Sequence, residues 1–202
     1  MAKDNCYGSP HFDVSVGCPP LRGNETDVTL QTLEAVVKDY KKMHYDNLEN
    51  YLRDLNGDIR DCVYGPFKNY KKHSHQRRLS NKIVMDVAVE RLKKIEKNLS
   101  SSKSFIELYN LVKNIDVKGY GLLAVYDFAI RYGFNRGIVP EDVYLHAGTL
   151  AGAKAILPGR KLHPGDVLPA DTFPQPLRKL NGLHLENLLC IYKKELKSIM
   201  SK

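Results

Sequence analysis

Tryptophan is absent, cysteine is sparse, and no apolar run approaches the length of a membrane span. Without tryptophan, any wedge or base-stacking group must be tyrosine, phenylalanine or an aliphatic side chain. The four cysteines, Cys6, Cys18, Cys62 and Cys190, form no CxxC pair. That disfavours an iron–sulfur cluster, and in a chain of 202 residues it favours reduced thiols over a disulfide frame. Cys6, His11 and Cys18 match no common metal spacing and lack a fourth ligand, so neither a metal nor a cofactor is expected. No stretch supplies the roughly 18 apolar residues of a membrane helix. The opening Met1-Ala2-Lys3-Asp4-Asn5 lacks the apolar core of a secretory signal. The expected location is the cytoplasm, or the nucleus in a eukaryote.

What is present is positive charge and helical periodicity. Lysine and arginine number 31 against 23 acidic residues, giving a net charge of +8. That excess favours a polyanionic partner. The length suits one domain with an appended arm. Residues 1–25, with Gly8, Pro10, Gly17, Pro19, Pro20 and Gly23, read as an irregular arm. Residues 26–202 read as a single all-α domain of six or seven helices.

The first helix is expected from Thr26 or Asp27, with Leu30, Leu33, Val36, Val37 and Tyr40 at helical spacing and a break near His44. Asn56-Gly57-Asp58 reads as its stop, and a short helix follows. The densest basic stretch comes next: Lys68, Lys71, Lys72, His73, His75, Arg77 and Arg78, with Tyr70 interleaved. Lys71, Lys72, His75, Arg77 and Arg78 are the side chains expected to follow a phosphate backbone; the plainer alternative is a solvated loop. A helix over Asn81–Leu99 has Ser80 as its N-cap, and Ser104 caps the next, over Phe105–Asn114.

A glycine pair then organises the middle of the chain: Val117-Lys118-Gly119-Tyr120-Gly121-Leu122-Leu123-Ala124. Glycine admits positive φ, and a helix beginning directly after Gly121 directs unpaired N–H groups outward, which makes an anion site. Apolar-x-Gly-x-Gly before an apolar helix resembles the helix-hairpin-helix, here over about 105–133. That resemblance implies sequence-independent contact with one DNA backbone phosphate at the amides around Lys118, Gly119, Gly121, Leu122 and Leu123. The alternative is a plain glycine turn between packed helices. The second helix runs from Leu122 to Tyr132, with Gly133 as its C-terminal cap and Arg131 favoured by the helix dipole.

Val139-Pro140-Glu141-Asp142-Val143 places Asp142 23 residues after Gly119. This spacing and setting are similar to those of the helix-hairpin-helix DNA glycosylases, over about residues 105–156. The resemblance implies that Asp142 is the catalytic carboxylate of a base-excising enzyme acting on a flipped nucleotide. The lysine nucleophile of bifunctional members is missing, since Leu122, Leu123 and Ala124 stand there. Only a monofunctional hydrolase is therefore compatible. Asp142 has a second reading as a carboxylate suited to the first turn of a helix begun by Pro140.

On such a helix His146 and Thr149 would share one face, and Tyr144 and Gly148 another pair of positions. With Tyr126 and Arg131 they could line a pocket for a base or nucleotide; His146 as a satisfied core histidine is the alternative. Gly148 and Gly152, four apart, predict close approach by another segment. Residues 158–176 read as an extended loop, and a last helix is expected over Leu180–Ile199. The competing function is a non-catalytic binder of a small nucleotide or another phosphate-bearing ligand.

Overall fold

The computed structural model describes residues 30–55, 57–65 and 82–201. The N-terminal arm, Cys6, His11, Cys18, the basic stretch 68–78 and Ser80 lie outside the described residues.

The described residues are mostly helical. Strands β1 (Val143–Tyr144) and β2 (Val167–Leu168) form a two-stranded antiparallel sheet with Val143 opposite Leu168. Helix α1 (Leu33–Tyr40) passes through a π-turn at Lys41–Tyr45 into α2 (Asp46–Arg53), so the break expected near His44 is a widening of one helix. Next come α3 (Ile59–Tyr64), α4 (Lys82–Lys94), α5 (Glu96–Ser101), α6 (Phe105–Lys113) and α7 (Leu122–Gly133). The chain ends with α8 (Ala147–Ile156), α9 (Gly182–Ile191) and α10 (Lys193–Met200). Kinks at Ile95 and Tyr192 divide α4 from α5 and α9 from α10. Counted as continuous runs, the described residues hold seven helices.

Cap chemistry sets several starts. The Thr32 hydroxyl accepts from the Ala35 N–H at 3.1 Å and caps α1 at Leu33; Thr26 and Asp27, the expected start of the first helix, lie outside the described residues. The Asp58 carboxylate accepts from the amides of Arg60 and Asp61 at 2.7 and 3.1 Å. The Ser104 hydroxyl accepts from the Glu107 N–H, while the Glu107 carboxylate accepts from the Lys103 N–H.

Contacts divide the described chain into two compact units. One comprises the described residues of 50–140; the other comprises residues 30–49 together with 141–201. In the first, α3 packs on α4 and α7, and α6 packs on α7. Cys62, Val63, Met85, Leu92, Leu108, Val112 and Phe128 are fully buried. In the second, α8 packs on α9 and α10, and α1 packs on α10. Val36, Tyr40, Val143, Leu145, Ala153, Leu185, Leu188, Leu189 and Tyr192 are at its core.

The expected close approach at Gly148 and Gly152 is present. A Cβ on Gly148 would strike the Cys190 thiol, and one on Gly152 the Leu189 carbonyl. Gly133 belongs to α7 rather than capping it. It is glycine because the Ile138 carbonyl lies where its Cβ would be. Gly137, at φ +71°, supplies the left-handed residue after a 3-10 turn at Phe134–Arg136.

Two expectations fail on the C-terminal side. Pro140 does not begin a helix: Glu141 and Asp142 lie in a bend, Val143–Tyr144 pair as β1, and α8 starts only at Ala147. The run Val143-Tyr144-Leu145 is buried on every side, a strand pattern too short for a helical period to compete. The stretch 158–176 is also more than a surface loop. It provides β2 and a 3-10 turn at Ala170–Thr172, and it buries Leu162 and Phe173.

Candidate functional site

The glycine stretch forms a hairpin between α6 and α7, all within the first unit. Asp116 takes φ +48°, and Val117–Tyr120 form a turn closed by the Tyr120 N–H to the Val117 carbonyl at 2.9 Å. Gly119 is the third residue of that turn at φ +91°, the conformation a type II turn demands there. Its φ restricts the position more than its surroundings do: an added Cβ would meet only the Val84 methyl groups, at 3.5 Å or beyond. Gly121 is the N-cap of α7 in extended backbone (φ −75°, ψ 174°), with no side-chain cap. The first helical bond is donated by Val125 to the Gly121 carbonyl, so the Leu122, Leu123 and Ala124 amides precede the helical ladder. Lys118, Gly119, Gly121 and Leu122 are exposed, and Leu123 is half-buried.

Tyr120, between the two glycines, points the other way and is 7% exposed. Burial raises its phenol well above the ordinary tyrosine range, with Arg131 pulling against that and Asp127 adding to it. Arg131 is wholly buried, as is Asp127 one turn earlier, and Nη2 lies 3.7 Å from Oδ2. Nη1 donates to the Cys62 carbonyl at 3.1 Å. Burial opposes the guanidinium charge, but Tyr51, Asp127 and Tyr120 around it more than compensate, and its pKa is raised. Burial pushes the Cys62 thiol up to about 12 despite Arg131. The hairpin thus has a solvent-facing rim of amides and an inward anchor on a buried ion pair.

The other sequence-derived residues are distributed differently. Lys71, Lys72, His75, Arg77 and Arg78 lie outside the described residues. Asp142 has an exposed side chain and belongs to the second unit, as do Tyr144, His146 and Thr149; Tyr126 and Arg131 belong to the first. Tyr144 lies in β1 and His146 is the N-cap of α8, so the shared helical faces expected of Tyr144 with Gly148 and of His146 with Thr149 do not form. His146 is buried, and the Thr149 hydroxyl donates to the buried Glu186 carboxylate.

The second unit holds an arrangement the sequence reading did not single out. His184, fully buried on α9, faces the Tyr40 hydroxyl with Nδ1 at 2.9 Å and the Glu49 carboxylate with Nε2 at 3.3 Å. Asn187 donates to the same Tyr40 hydroxyl at 3.3 Å. Burial lowers the His184 pKa, with Glu49 and Asp46 opposing and Lys41 assisting. The neutral ring then accepts from Tyr40 at Nδ1 and donates from Nε2 to Glu49. Tyr45 stacks on the imidazole with centroids 3.6 Å apart and planes within 9°. Beside that stack is a cleft of about 300 Å³ lined by Lys41, Tyr45, Asp46, Lys179, Leu180 and Asn181. The signal for it in the sequence was His184, Glu186 and Asn187 set inside an otherwise apolar helix.

No helix of the described residues is long and apolar enough to cross a membrane, and those residues hold no cluster of histidine, cysteine and carboxylates able to bind a metal ion. No family model, no curated protein and no solved structure matches the chain.

Proposed function

We propose that the protein binds DNA through the hairpin between α6 and α7, holding a backbone phosphate without reading sequence. The observation that carries this reading is the exposed rim Lys118-Gly119-x-Gly121-Leu122, where three successive amides lead into a 12-residue helix with no side-chain cap. Amides and helix dipole together favour an anion there. Lys118 adds a cation at the turn. The basic stretch 68–78 lies outside the described residues and adds to this reading only through its charge. The chain's excess of 31 basic over 23 acidic residues acts in the same direction.

Base excision is the catalytic extension of this proposal, with Asp142 as the carboxylate that stabilises charge on the departing sugar. It is tested separately, by excision from damaged duplexes with Asp142→Asn as the control.

The deciding experiment is binding of a labelled duplex across a salt series. The logarithm of affinity should fall with that of salt concentration at a slope near −0.9 for each phosphate neutralised. Gly121→Asp should abolish binding, because its carboxylate would cover the Leu123 and Ala124 amides. Absence of salt-dependent binding by the unaltered chain would end the proposal. A small phosphate-bearing ligand at the same amides is the competing reading, and it predicts thermal stabilisation by that ligand instead.

A further inference from the structure

The cleft beside Tyr45 has features that the hairpin does not use. Its volume, about 300 Å³, is at the lower end of small-molecule sites. It lies wholly within the second unit. Two of its lining side chains are lysines from separate elements: Lys41 from the π-turn and Lys179 from the 3-10 turn at Leu177–Lys179. Both are exposed, and each is free to bring an ammonium group to the opening.

The wall between them is aromatic and held in place. Tyr45 stacks flat on His184, and His184 is fixed at both ring nitrogens by Tyr40 and Glu49. A half-buried tyrosine so held loses little further freedom when a flat ligand packs against it. Asp46 and the Asn181 carboxamide supply acceptors on the same lining, although the Asn181 oxygen already accepts from the His184 N–H at 3.0 Å. A phosphate near the two lysines, a planar ring against Tyr45 and a sugar hydroxyl toward Asp46 would use each of these groups once.

We propose that this cleft binds a free nucleoside monophosphate, with Lys41 and Lys179 on the phosphate and Tyr45 against the base. The site is independent of the hairpin, and the two readings fail separately. Stacking tolerates any base, so purine and pyrimidine monophosphates should both bind, the purines more tightly.

The test is calorimetric titration of the full chain with adenosine monophosphate and uridine monophosphate, beside adenosine and inorganic phosphate. Both nucleotides should bind more tightly than either fragment. Lys41→Gln and Lys179→Gln, exposed positions whose loss should not disturb folding, should each weaken nucleotide binding about tenfold, the scale of one charged hydrogen bond. Gly121→Asp should leave it unchanged. Tyr45→Leu should remove the preference for the nucleotide over inorganic phosphate; a melting curve of that variant establishes that it is folded, and the lysine variants decide the matter if it is not. The proposal is overturned by no nucleotide binding at millimolar concentration. It is equally overturned by binding indifferent to both lysine changes, by inorganic phosphate binding as well as the nucleotide, or by loss of nucleotide binding in Gly121→Asp.

Discussion

Asp127 and Arg131, one turn apart on α7, are 1% and 0% exposed and face each other at 3.7 Å. The hairpin therefore rests on charge taken out of water. Removing one member of such a pair leaves the other uncompensated, which costs about 3–5 kcal/mol, whereas replacing both with apolar groups of similar size is close to neutral. Arg131→Met should accordingly destabilise by that amount, and the double change Asp127→Leu/Arg131→Met by much less. Denaturant unfolding of the two single variants and the double variant measures the coupling. Additive losses would show that the two side chains do not act as a pair.

The two hairpin glycines should respond in opposite ways. Gly121 is extended, and a Cβ there meets nothing within 4 Å. Aspartate is a better N-cap than glycine by a few tenths of a kcal/mol, so Gly121→Asp should keep or slightly raise the melting temperature. Gly119, at φ +91°, has no such freedom. Gly119→Ala should cost about 1–2 kcal/mol, the penalty of a side chain in left-handed backbone. Thermal unfolding distinguishes them. A stable Gly121→Asp variant that no longer binds DNA separates function from folding.

His184 gives the second unit a pH dependence of definite sign. Its folded pKa lies below the ordinary 6.5 because burial disfavours the charged ring, so the unfolded chain takes up the proton first. The stabilisation is complete above about pH 6.5. It is lost as pH falls from there toward the folded value, and is constant below that. Unfolding free energies between pH 5 and 8, compared for the native chain and His184→Gln, should show a steeper decline on acidification for the native chain. Parallel profiles would place the titration elsewhere.

Close packing of α8 on α9 predicts intolerance at two small residues. Gly152→Ala drives a methyl group into the Leu189 carbonyl, and Gly148→Ala drives one into the Cys190 thiol. Each should cost about 1–3 kcal/mol, the range for overpacking a filled interface. The backbone carbonyl is the less yielding neighbour, so Gly152→Ala should be the worse of the two. Melting temperatures of both variants check the order.

Helical elements were legible wherever apolar residues recur at three and four. The cap at Ser104 follows from short-range chemistry, and the approach at Gly148 and Gly152 from their spacing. The glycine turn was equally local, because φ +91° at Gly119 calls for that residue type. Asp142 and its neighbours were not legible. Pro140, Glu141 and Asp142 satisfy every local rule for a helix start, and only pairing of Val143–Tyr144 with Val167–Leu168, more than twenty residues away, overrides them. The Tyr45–His184 stack was hidden for the same reason. Its members are 139 positions apart in sequence, so the polar residues within the apolar run of α9 do not by themselves name Tyr45 as a partner.

The buried phenols have an optical consequence. With no tryptophan to mask them, the tyrosines dominate the near-ultraviolet spectrum of this chain. Burial holds Tyr51 and Tyr120 in the first unit, and Tyr40 in the second, above their usual ionisation range. Phenolate absorbance should therefore appear in two waves as alkali is added: an early one from exposed rings, and a late one that marks the opening of the interior and needs no attached dye.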